Sequence, residues 1–522
     1  MPRSEPARAR RVLMALFFFP RGGSSQVARY TARALPQAGW EVTLLAGSLG
    51  SPGEPSHAET FFGGLDVRSL DYTAARDAPD PLLSDPPFQP SFEDRPGAPD
   101  RVFATVDDAA YERIVATWER ALADAGAADA SVLHLHHLTP VNEAAARAFP
   151  DRPVVGHLHG TELLMLEAIA EGPPSRWMHA RDWAERMRRW AGACDRLLVL
   201  SPDALRRVPE LLGVAPERLV WAPNGFDPEL FDRRSADPAA DRRLWRRWLV
   251  DSPQGWDRSG VPGSVAYRPE QLEPFESDAP VLLYVGRFTE VKRIPLLIRA
   301  YAGAAERFDR RAPLVILGGY PGEWEGAHPL EVLRELAPER ARDVFLAGWR
   351  GHDELPLALH ASDVLVLASV HEQFGQVIVE AMACGLPVIA VDAHGPATIV
   401  DPGETGWLVE PDDEAELAEA LVEAVNDRER RVTMGAAAYR ASRSRYAWPA
   451  LAEGLAEVYE SVVRGSAPTI NTSSVRGPCT PSTRSSSMSD VAEGPEMKVT
   501  GRPAERTPST STDTASGIPP TT

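Results

Sequence analysis

Cysteine is scarce in this chain of 522 residues, which contains only Cys194, Cys384 and Cys479. Three widely separated cysteines cannot build a disulfide framework, and none of them belongs to a CxxC metal-binding motif. We therefore expect a reducing, cytoplasmic setting, and peripheral attachment to a membrane stays open.

Long hydrophobic runs are also lacking. The run from Val12 to Phe19 is far shorter than the roughly 20 residues that cross a bilayer, so we expect no integral membrane segment. Three arginines precede the run, as in a signal peptide: Arg8, Arg10 and Arg11. However, the run leads into Pro20-Arg21-Gly22-Gly23 without an A-x-A cleavage site, which favours a first strand and loop of a nucleotide-binding domain.

Positive charge is in deficit, because 55 Lys and Arg residues face 74 Asp and Glu residues and the formal net charge is −19. Such a chain repels phosphate backbones, so we expect no nucleic-acid partner. At this length and with 43% apolar residues, it can bury a large core divided over two or three domains.

Apolar strands alternate with amphipathic helices in the first half of the chain. Ser24 to Leu35 has the period of a helix, with Ser24 or Ser25 as its N-cap. The predicted strands are Arg11 to Phe19, Trp40 to Ala46, Ser131 to His136, Pro153 to His157 and Arg196 to Leu200. This order predicts parallel strands covered by helices.

A second series of the same kind starts at Pro280. Its predicted strands are Val281 to Val285, Leu314 to Leu317, Val344 to Leu346, Val364 to Leu367 and Pro387 to Val391. Its predicted helices are Ile294 to Arg307, one through Glu380, and Glu414 to Val425. The sequence therefore predicts an α/β protein of two Rossmann-like halves in tandem.

Three stretches depart from this alternation. Residues 75–100 are rich in Pro and Asp and are interpreted as a surface insertion, and residues 236–279 are interpreted as an inserted linker between the halves. Residues 1–10 form an N-terminal extension, which leaves 11–235 as the first half. Residues 464–522 are rich in Ser, Thr and Pro and are predicted to be a disordered tail.

The first loop, which contains Gly22 and Gly23, joins the end of a strand to the start of a helix. Backbone amides and the helix dipole at such a position attract an anion, and glycine lets a ligand approach closely. The alternative is a tight turn that itself requires two glycines. Because the loop is not a GxGxxG fingerprint, a dinucleotide dehydrogenase is poorly supported.

The second half opens with Gly286-Arg287, and Lys292 follows five residues later. Arg287 and Lys292 at one strand end would supply two fixed cations to a pyrophosphate leaving group without help from a metal. The alternative is a pair of solvated surface cations.

Two glutamates flank a predicted strand-to-helix loop in the stretch His371 to Ala390. Glu372 lies in the loop and Glu380 on the helix, roughly 12 Å apart if the rise is helical. Carboxylates bind sugar diols through paired hydrogen bonds, and the helix start between them can hold phosphate oxygens. This spacing matches the span from the hexose to the ribose of a nucleotide sugar.

Histidines cluster at two predicted strand ends: His134, His136 and His137 at one, and His157 and His159 at the next. Strand alternation places His134 and His136 on one face, so a metal cluster is conceivable. Because neither Cys nor a carboxylate completes a recognisable ligand spacing, we expect no metal there and interpret His134 and His136 as structural.

These motifs together resemble the group 1 (family 4) retaining glycosyltransferases of GT-B fold. The resemblance rests on Gly-Arg-x4-Lys followed by Glu-x-Phe-Gly-x4-Glu-Ala-x-Ala-x-Gly-x-Pro-Val, and it covers most of residues 11–460. The segments Pro223 to Asp227 and Thr405 to Val409 match the family pattern as well. Val291 and Arg293 depart from it, because many members have Glu-Lys-Gly around the lysine.

The resemblance implies two Rossmann-like domains that face each other across a cleft. Residues 11–235 would hold the acceptor and residues 280–447 the nucleotide sugar, and a helix over 448–463 would cross back onto the first domain. The acceptor could be a small molecule, a glycan or a lipid-linked species. The resemblance implies neither a metal nor a cofactor.

Site residues carry over by position. Arg287 and Lys292 would clamp the diphosphate, Glu380 would bind the ribose and Glu372 the donor sugar. His159 would face the donor sugar and assist proton movement. Further donor contacts are implied for Gly22, Gly23, Trp349, Phe374, Gly375, Gln376 and Val377.

The implied reaction moves a hexosyl group from a nucleoside diphosphate sugar to an acceptor hydroxyl with retention of configuration. In the family the leaving phosphate is thought to help deprotonate the acceptor. Two alternatives stay open: another GT-B activity, such as a phosphorylase or a nucleotide-sugar epimerase, and a non-catalytic carbohydrate-binding protein.

Overall fold

The computed structural model describes residues 10–93 and 100–465. The predictions for residues 1–9 and for residues 466–522 lie outside this range.

Two parallel sheets form the framework of the described chain. The strands of the first sheet are β1 (Arg11–Leu16), β2 (Glu41–Ser48), β3 (Asp66–Asp71), β4 (Val132–His136), β5 (Val154–His157), β6 (Arg196–Val199) and β7 (Leu219–Trp221). Those of the second are β8 (Leu282–Gly286), β9 (Leu314–Gly318), β10 (Val344–Gly348), β11 (Val364–Leu367), β12 (Val388–Val391) and β13 (Gly406–Val409).

Helices cover both sheets. Those of the first half are α1 (Gly23–Ala34), α2 (Ala58–Phe61), α3 (Thr73–Arg76), α4 (Asp108–Asp124), α5 (Pro140–Ala148), α6 (Thr161–Glu171), α7 (Ala180–Ala193) and α8 (Pro202–Leu212). Those that follow are α9 (Pro238–Arg246), α10 (Ile294–Ala304), α11 (Pro329–Glu335), α12 (Pro338–Ala341), α13 (Leu355–His360), α14 (Gln376–Ala383), α15 (Pro396–Ile399), α16 (Glu414–Asn426), α17 (Arg428–Arg445) and α18 (Trp448–Arg464).

Six strands have the same order in the two halves, and the first sheet adds β7 at its edge. The first sheet has the order β3-β2-β1-β4-β5-β6-β7 and the second β10-β9-β8-β11-β12-β13, with every strand pair parallel. This is the doubly wound order of a Rossmann fold. The prediction of two Rossmann-like halves is therefore confirmed.

The continuous apolar runs of the sequence are the central strands. From Val12 to Leu16 every side chain of β1 is at most 1% exposed, and the four residues of β11 are buried as completely. Strands covered by helices on both faces must be apolar at every position, which is why these segments lack the alternation of a half-exposed strand.

The predicted N-cap of the first helix is wrong. Helix α1 starts at Gly23 with Gly22 as its N-cap, and no side chain caps it. The backbone amides of its first turn are therefore not used by a serine and stay available at the end of β1.

Residues 75–100 are not a surface insertion throughout, contrary to prediction. Phe88 is 2% and Phe92 8% exposed, and both belong to the core of the first half. The side chain of Gln89 accepts a hydrogen bond from the amide of Phe19 at 3.0 Å. The aromatic residues of this segment anchor it although its Pro and Asp content is high.

Residues 238–276 pack onto the second sheet. Trp245, Trp248 and Trp256 are each 1% exposed within its core. The indole of Trp245 donates to the carbonyl of Ala361 and that of Trp256 to the carbonyl of Gly319, both at 3.0 Å.

The last helix, α18, returns to the first half. Tyr459 is fully buried in the cluster that α1 and β1 also form, and Arg10 lies 2.8 Å from Glu460 in an ion pair. Among the described residues, none of the helices is long and apolar enough to cross a membrane.

Candidate active site

Each sheet has one point where the strand order reverses, β1 beside β4 in the first and β8 beside β11 in the second. Loops diverge at the carboxyl ends of these strands and leave a crevice in which open α/β sheets bind ligands. The chain places Gly22-Gly23 after β1, the His137 loop after β4, Arg287 after β8 and Glu372 after β11. Gly22, Gly23, Arg287 and Glu372 thus lie at the two switch points, whereas His159 follows β5 and Trp349 follows β10.

The two predicted phosphate cations are both paired with carboxylates. Lys292 forms an ion pair with Glu372, and the side chains are 16% and 19% exposed. Arg287 is 61% exposed, and its guanidinium lies 3.3 Å from Glu93 of the first half. Arg287 is therefore partly a solvated surface cation, as the alternative interpretation held, whereas Lys292 is not.

Glu380 is a buried carboxylate on α14, 1% exposed. Its Oε1 accepts hydrogen bonds from His352 Nε2 at 3.0 Å and from Gln376 Nε2 at 3.1 Å. Burial alone would lower the pKa of His352, but the Glu380 carboxylate outweighs it and the pKa is raised. Glu380 is thus held in place before any ligand binds.

Both donors to Glu380 also touch the first half of the chain. His352 Nδ1 lies 3.4 Å from the hydroxyl of Tyr30 on α1. Gln376 Nε2 donates to the carbonyl of Gly225 at 2.6 Å. Gln376 was predicted among the donor contacts. Tyr30 and His352 were not predicted, because 322 residues separate them in the chain.

The loop after β5 abuts the loop after β11 across the cleft. Gly160 has φ +97°, and a Cβ built there would lie 2.3 Å from the side chain of Gln373. Glycine is needed here for both reasons, since the φ value and the close approach each exclude a larger residue. His159 and Glu372, the neighbours of Gly160 and Gln373 in the sequence, are therefore carried by two loops that meet across the cleft.

A second contact crosses the cleft beside this one. Arg207 of α8 forms an ion pair with Glu167 of α6 and lies 3.4 Å from Gln373. His394 Nδ1 lies 3.3 Å from Asp203. These cross-cleft contacts were not predicted from the sequence, because no local pattern distinguishes their residues from other surface charges.

The histidine cluster is a hydrogen-bonded array of buried rings. His134 contacts the Tyr459 hydroxyl at 2.6 Å and His157 at 3.3 Å, while His136 Nδ1 contacts His159 Nε2 at 2.9 Å. Burial, reinforced by the neighbouring imidazoles, lowers the pKa of His134, His136 and His159 well below the usual range, and burial lowers that of His157 to about 3. The rings are therefore neutral at pH 7.

Neutral imidazoles can ligate a metal, and atoms of His134, His136 and His157 lie within 4.8 Å of one another. Both ring nitrogens of His134 are engaged by hydrogen bonds, however. Of the ring nitrogens of these three described histidines, Nε2 of His136 and Nε2 of His157 lack a hydrogen-bond partner. The array is better suited to fixing His159, whose Nε2 meets His136, than to holding an ion.

The carboxylate of Glu162 is fully buried below His159. His137 Nδ1 lies 2.8 Å from it, and the His159 amide approaches it at 3.3 Å. Although burial raises the pKa of Glu162, His137 and these hydrogen bonds outweigh it and lower the pKa overall. A buried anion thus anchors the loop that carries His159.

The remaining predicted donor contacts follow β10, the edge strand of the second sheet, and β11 at its switch point. Trp349 is 45% exposed, and its ring meets that of Tyr320 edge-on with centroids 5.9 Å apart. Phe374 is buried against Tyr446, and Gly375, with φ +100°, caps α14. Gln376 and Val377 then form the first turn of α14, whose amides point out of its N-terminus.

At the first switch point, a Cβ added to Gly22 or Gly23 would meet no heavy atom within 4 Å. Gly22 has an extended backbone with φ −165°, and neither glycine has a positive φ. The alternative that the turn itself needs two glycines is therefore wrong. What the two glycines provide is open space over the N-terminus of α1.

Two doubly wound parallel sheets in tandem carry cations, carboxylates and a histidine on loops that meet across a cleft, and comparisons with known proteins specify the family. The family model described as "Glycosyl transferases group 1" matches residues 269–441, and "Glycosyltransferase Family 4" matches residues 21–230. The chain belongs to the group 1, family 4 glycosyltransferases.

Curated relatives include D-inositol 3-phosphate glycosyltransferases. The one from Kineococcus radiotolerans is 32% identical over 332 residues, which is 60% of this chain and 67% of the relative. The one from Corynebacterium jeikeium is 36% identical over 241 residues, 46% of this chain and 54% of the relative. The chain thus spans about half to two thirds of the length of these relatives.

Solved structures share the fold at low identity. Sucrose-phosphate synthase from Thermosynechococcus elongatus gives a TM-score of 0.62 at 20% identity and covers 88% of this chain and 100% of its own. Anabaena HepE, in complex with UDP and glucose, gives 0.57 at 19% identity, with 86% and 99% covered. The expected GT-B fold is confirmed.

Proposed function

We propose that the protein is a retaining glycosyltransferase that moves a hexosyl group from a nucleoside diphosphate sugar to an acceptor hydroxyl. The observation that carries this proposal is the set of Arg287, Lys292, Glu372 and Glu380 at one switch point, closed from the other side by the His159 loop. A further support is that Anabaena HepE was solved with UDP-glucose.

The roles follow from charge and burial. Arg287 and Lys292 would stabilise the negative charge that grows on the leaving diphosphate. The buried Glu380 would accept hydrogen bonds from the ribose, and Glu372 from hydroxyls of the transferred sugar. His159, fixed through Nε2 by His136, would present its other ring nitrogen to the sugar.

The proposed reaction needs no nucleophile from the enzyme. The bond between the anomeric carbon and the diphosphate oxygen breaks, and the acceptor oxygen bonds to the same face of that carbon. The acceptor proton passes to an oxygen of the departing diphosphate. Since Arg287 and Lys292 supply the positive charge, turnover should persist in EDTA.

The test starts with the donor. Thermal unfolding of the full chain would be measured with UDP-, GDP- and ADP-glucose and with the corresponding diphosphates, and we expect one base to raise Tm. Turnover would then be tested with that donor and a panel of acceptors, starting with inositol 3-phosphate because the curated relatives carry that name.

The outcome separates the alternatives. A glycosyltransferase forms a glycoside only when acceptor is present, and NMR of the product would show the anomeric configuration of the donor retained. Formation of a sugar phosphate from inorganic phosphate would indicate a phosphorylase. An epimerised sugar that is still attached to its nucleotide would indicate a nucleotide-sugar epimerase. Binding without any turnover would indicate a carbohydrate-binding protein.

A further inference from the structure

Two hydrogen-bonding paths lead from the first half of the chain to one oxygen of Glu380. One runs from the Tyr30 hydroxyl to His352 and on to Oε1, over 3.4 Å and 3.0 Å. The other runs from the Gly225 carbonyl through Gln376 to the same oxygen, over 2.6 Å and 3.1 Å. A buried carboxylate is thus oriented by groups that also touch the opposite domain.

The chemistry of the first path is complete. His352 donates its Nε2–H to Glu380, and its Nδ1 is left for the Tyr30 hydroxyl, which donates to a neutral ring and accepts from a protonated one. The ring also packs edge-on against Phe231, with centroids 5.5 Å apart, which restricts its rotation. Tyr30 is 3% exposed, so its hydroxyl has few competing water partners.

We propose that Tyr30 and His352 are positioning residues that couple nucleotide binding by Glu380 to the seating of the first domain against the second. This rests on the proposed function, in which Glu380 binds the ribose. When the domains separate, His352 loses Tyr30 and Gln376 loses Gly225, so Glu380 loses its fixed orientation. Nucleotide affinity is then highest in the closed arrangement.

The experiment is a double-mutant cycle on the full chain. Calorimetric titration with UDP, GDP and ADP first identifies the diphosphate that binds the wild type. Its affinity is then measured for Tyr30→Phe, Glu380→Gln and the double variant. Tyr30→Phe removes one hydroxyl and keeps the ring that packs in the core, so we expect about two- to tenfold weaker binding.

The cycle distinguishes positioning from packing. If Tyr30 acts through Glu380, its effect should vanish in the Glu380→Gln background. His352→Gln, which keeps a donor for Glu380 but loses the partner of Tyr30, should reproduce the loss. The matched control is Tyr301→Phe, since the buried Tyr301 hydroxyl donates to the Ala312 carbonyl within the second half, and it should bind as the wild type.

Failure of this inference is distinct from failure of the proposed function. If the wild type binds the diphosphate and Tyr30→Phe leaves its affinity unchanged, only the coupling is overturned. The same holds if Tyr30→Phe weakens the affinity equally with and without Glu380→Gln. If none of the three diphosphates binds the wild type, the proposed function falls and the coupling falls with it.

Discussion

Lys292 and Glu372 form a largely buried ion pair, although 80 residues separate them in the chain. The sequence predicted different ligands for the two residues, the diphosphate for Lys292 and the transferred sugar for Glu372. Their direct contact means that a ligand entering the site must share or replace this pairing. The proposed phosphate contact of Lys292 and the proposed sugar contact of Glu372 would therefore be coupled, and a substitution of either residue should affect the other.

Lys292→Ala should lower turnover by about 10²- to 10³-fold, because a cation fixed at the leaving group acts mainly in the transition state. Arg287→Ala should cost less, since the Arg287 side chain is 61% exposed and better screened. Steady-state kinetics of both variants would measure this. Arg307→Ala is the control, because Arg307 follows the far end of α10 and pairs with Glu419 on α16. Near-normal rates for Lys292→Ala would contradict the diphosphate assignment.

The two glutamates should separate in binding experiments. Glu380→Gln should weaken the nucleoside diphosphate by about tenfold or more, because a charge-assisted hydrogen bond to the ribose is lost. Glu372→Gln should not weaken binding of the diphosphate, because the substitution releases Lys292 to contact phosphate. Turnover should nevertheless fall. Calorimetric titration of the diphosphate into each variant, paired with rates, measures both effects. An equal loss of diphosphate affinity in the two variants would rule out this division of roles.

Glu93→Gln should tighten donor binding. Glu93 contacts the Arg287 guanidinium from across the cleft, so a donor phosphate that binds Arg287 would compete with Glu93. An exposed pair of this kind is worth about 0.2 to 1 kcal/mol, so we expect the donor KM to fall by at most about fivefold. Asp77→Asn is the matched control, as this exposed carboxylate pairs with Arg76 next to it in the chain. A higher KM in Glu93→Gln would instead show that Glu93 helps to bind the donor.

The histidine array should make the protein sensitive to acid. In the unfolded chain each imidazole takes up a proton near pH 6.5, whereas burial keeps the folded rings neutral with lowered pKa values. Below pH 6.5 the unfolded state binds more protons, so the free energy of unfolding falls as the pH falls.

One histidine can be removed from this balance. His157→Asn should reduce the loss of stability between pH 7 and 5, by up to about 1.4 kcal/mol per pH unit. Denaturant unfolding of the variant and of the wild type at several pH values would measure the slope. A slope in His157→Asn equal to that of the wild type would show that His157 protonates in the fold.

The sequence determined the α/β architecture, because parallel strands covered on both faces need continuous apolar runs such as Val12 to Leu16, and these are visible without tertiary information. It also pointed to Arg287, Glu372 and Glu380 as charged residues of the candidate site, since they belong to loops and a helix start that follow such runs. Local signals were enough for these features because they arise within one strand-loop-helix unit.

Tertiary structure alone decided how the site residues are paired. The contacts of Tyr30 with His352, of Glu93 with Arg287 and of Lys292 with Glu372 join segments 80 to 322 residues apart. Local periodicity carries no information on which loops meet, because two sheets brought together across a cleft set those distances. The burial of Phe88 and Phe92 in a stretch rich in Pro and Asp was missed for the same reason: their core is formed by other elements.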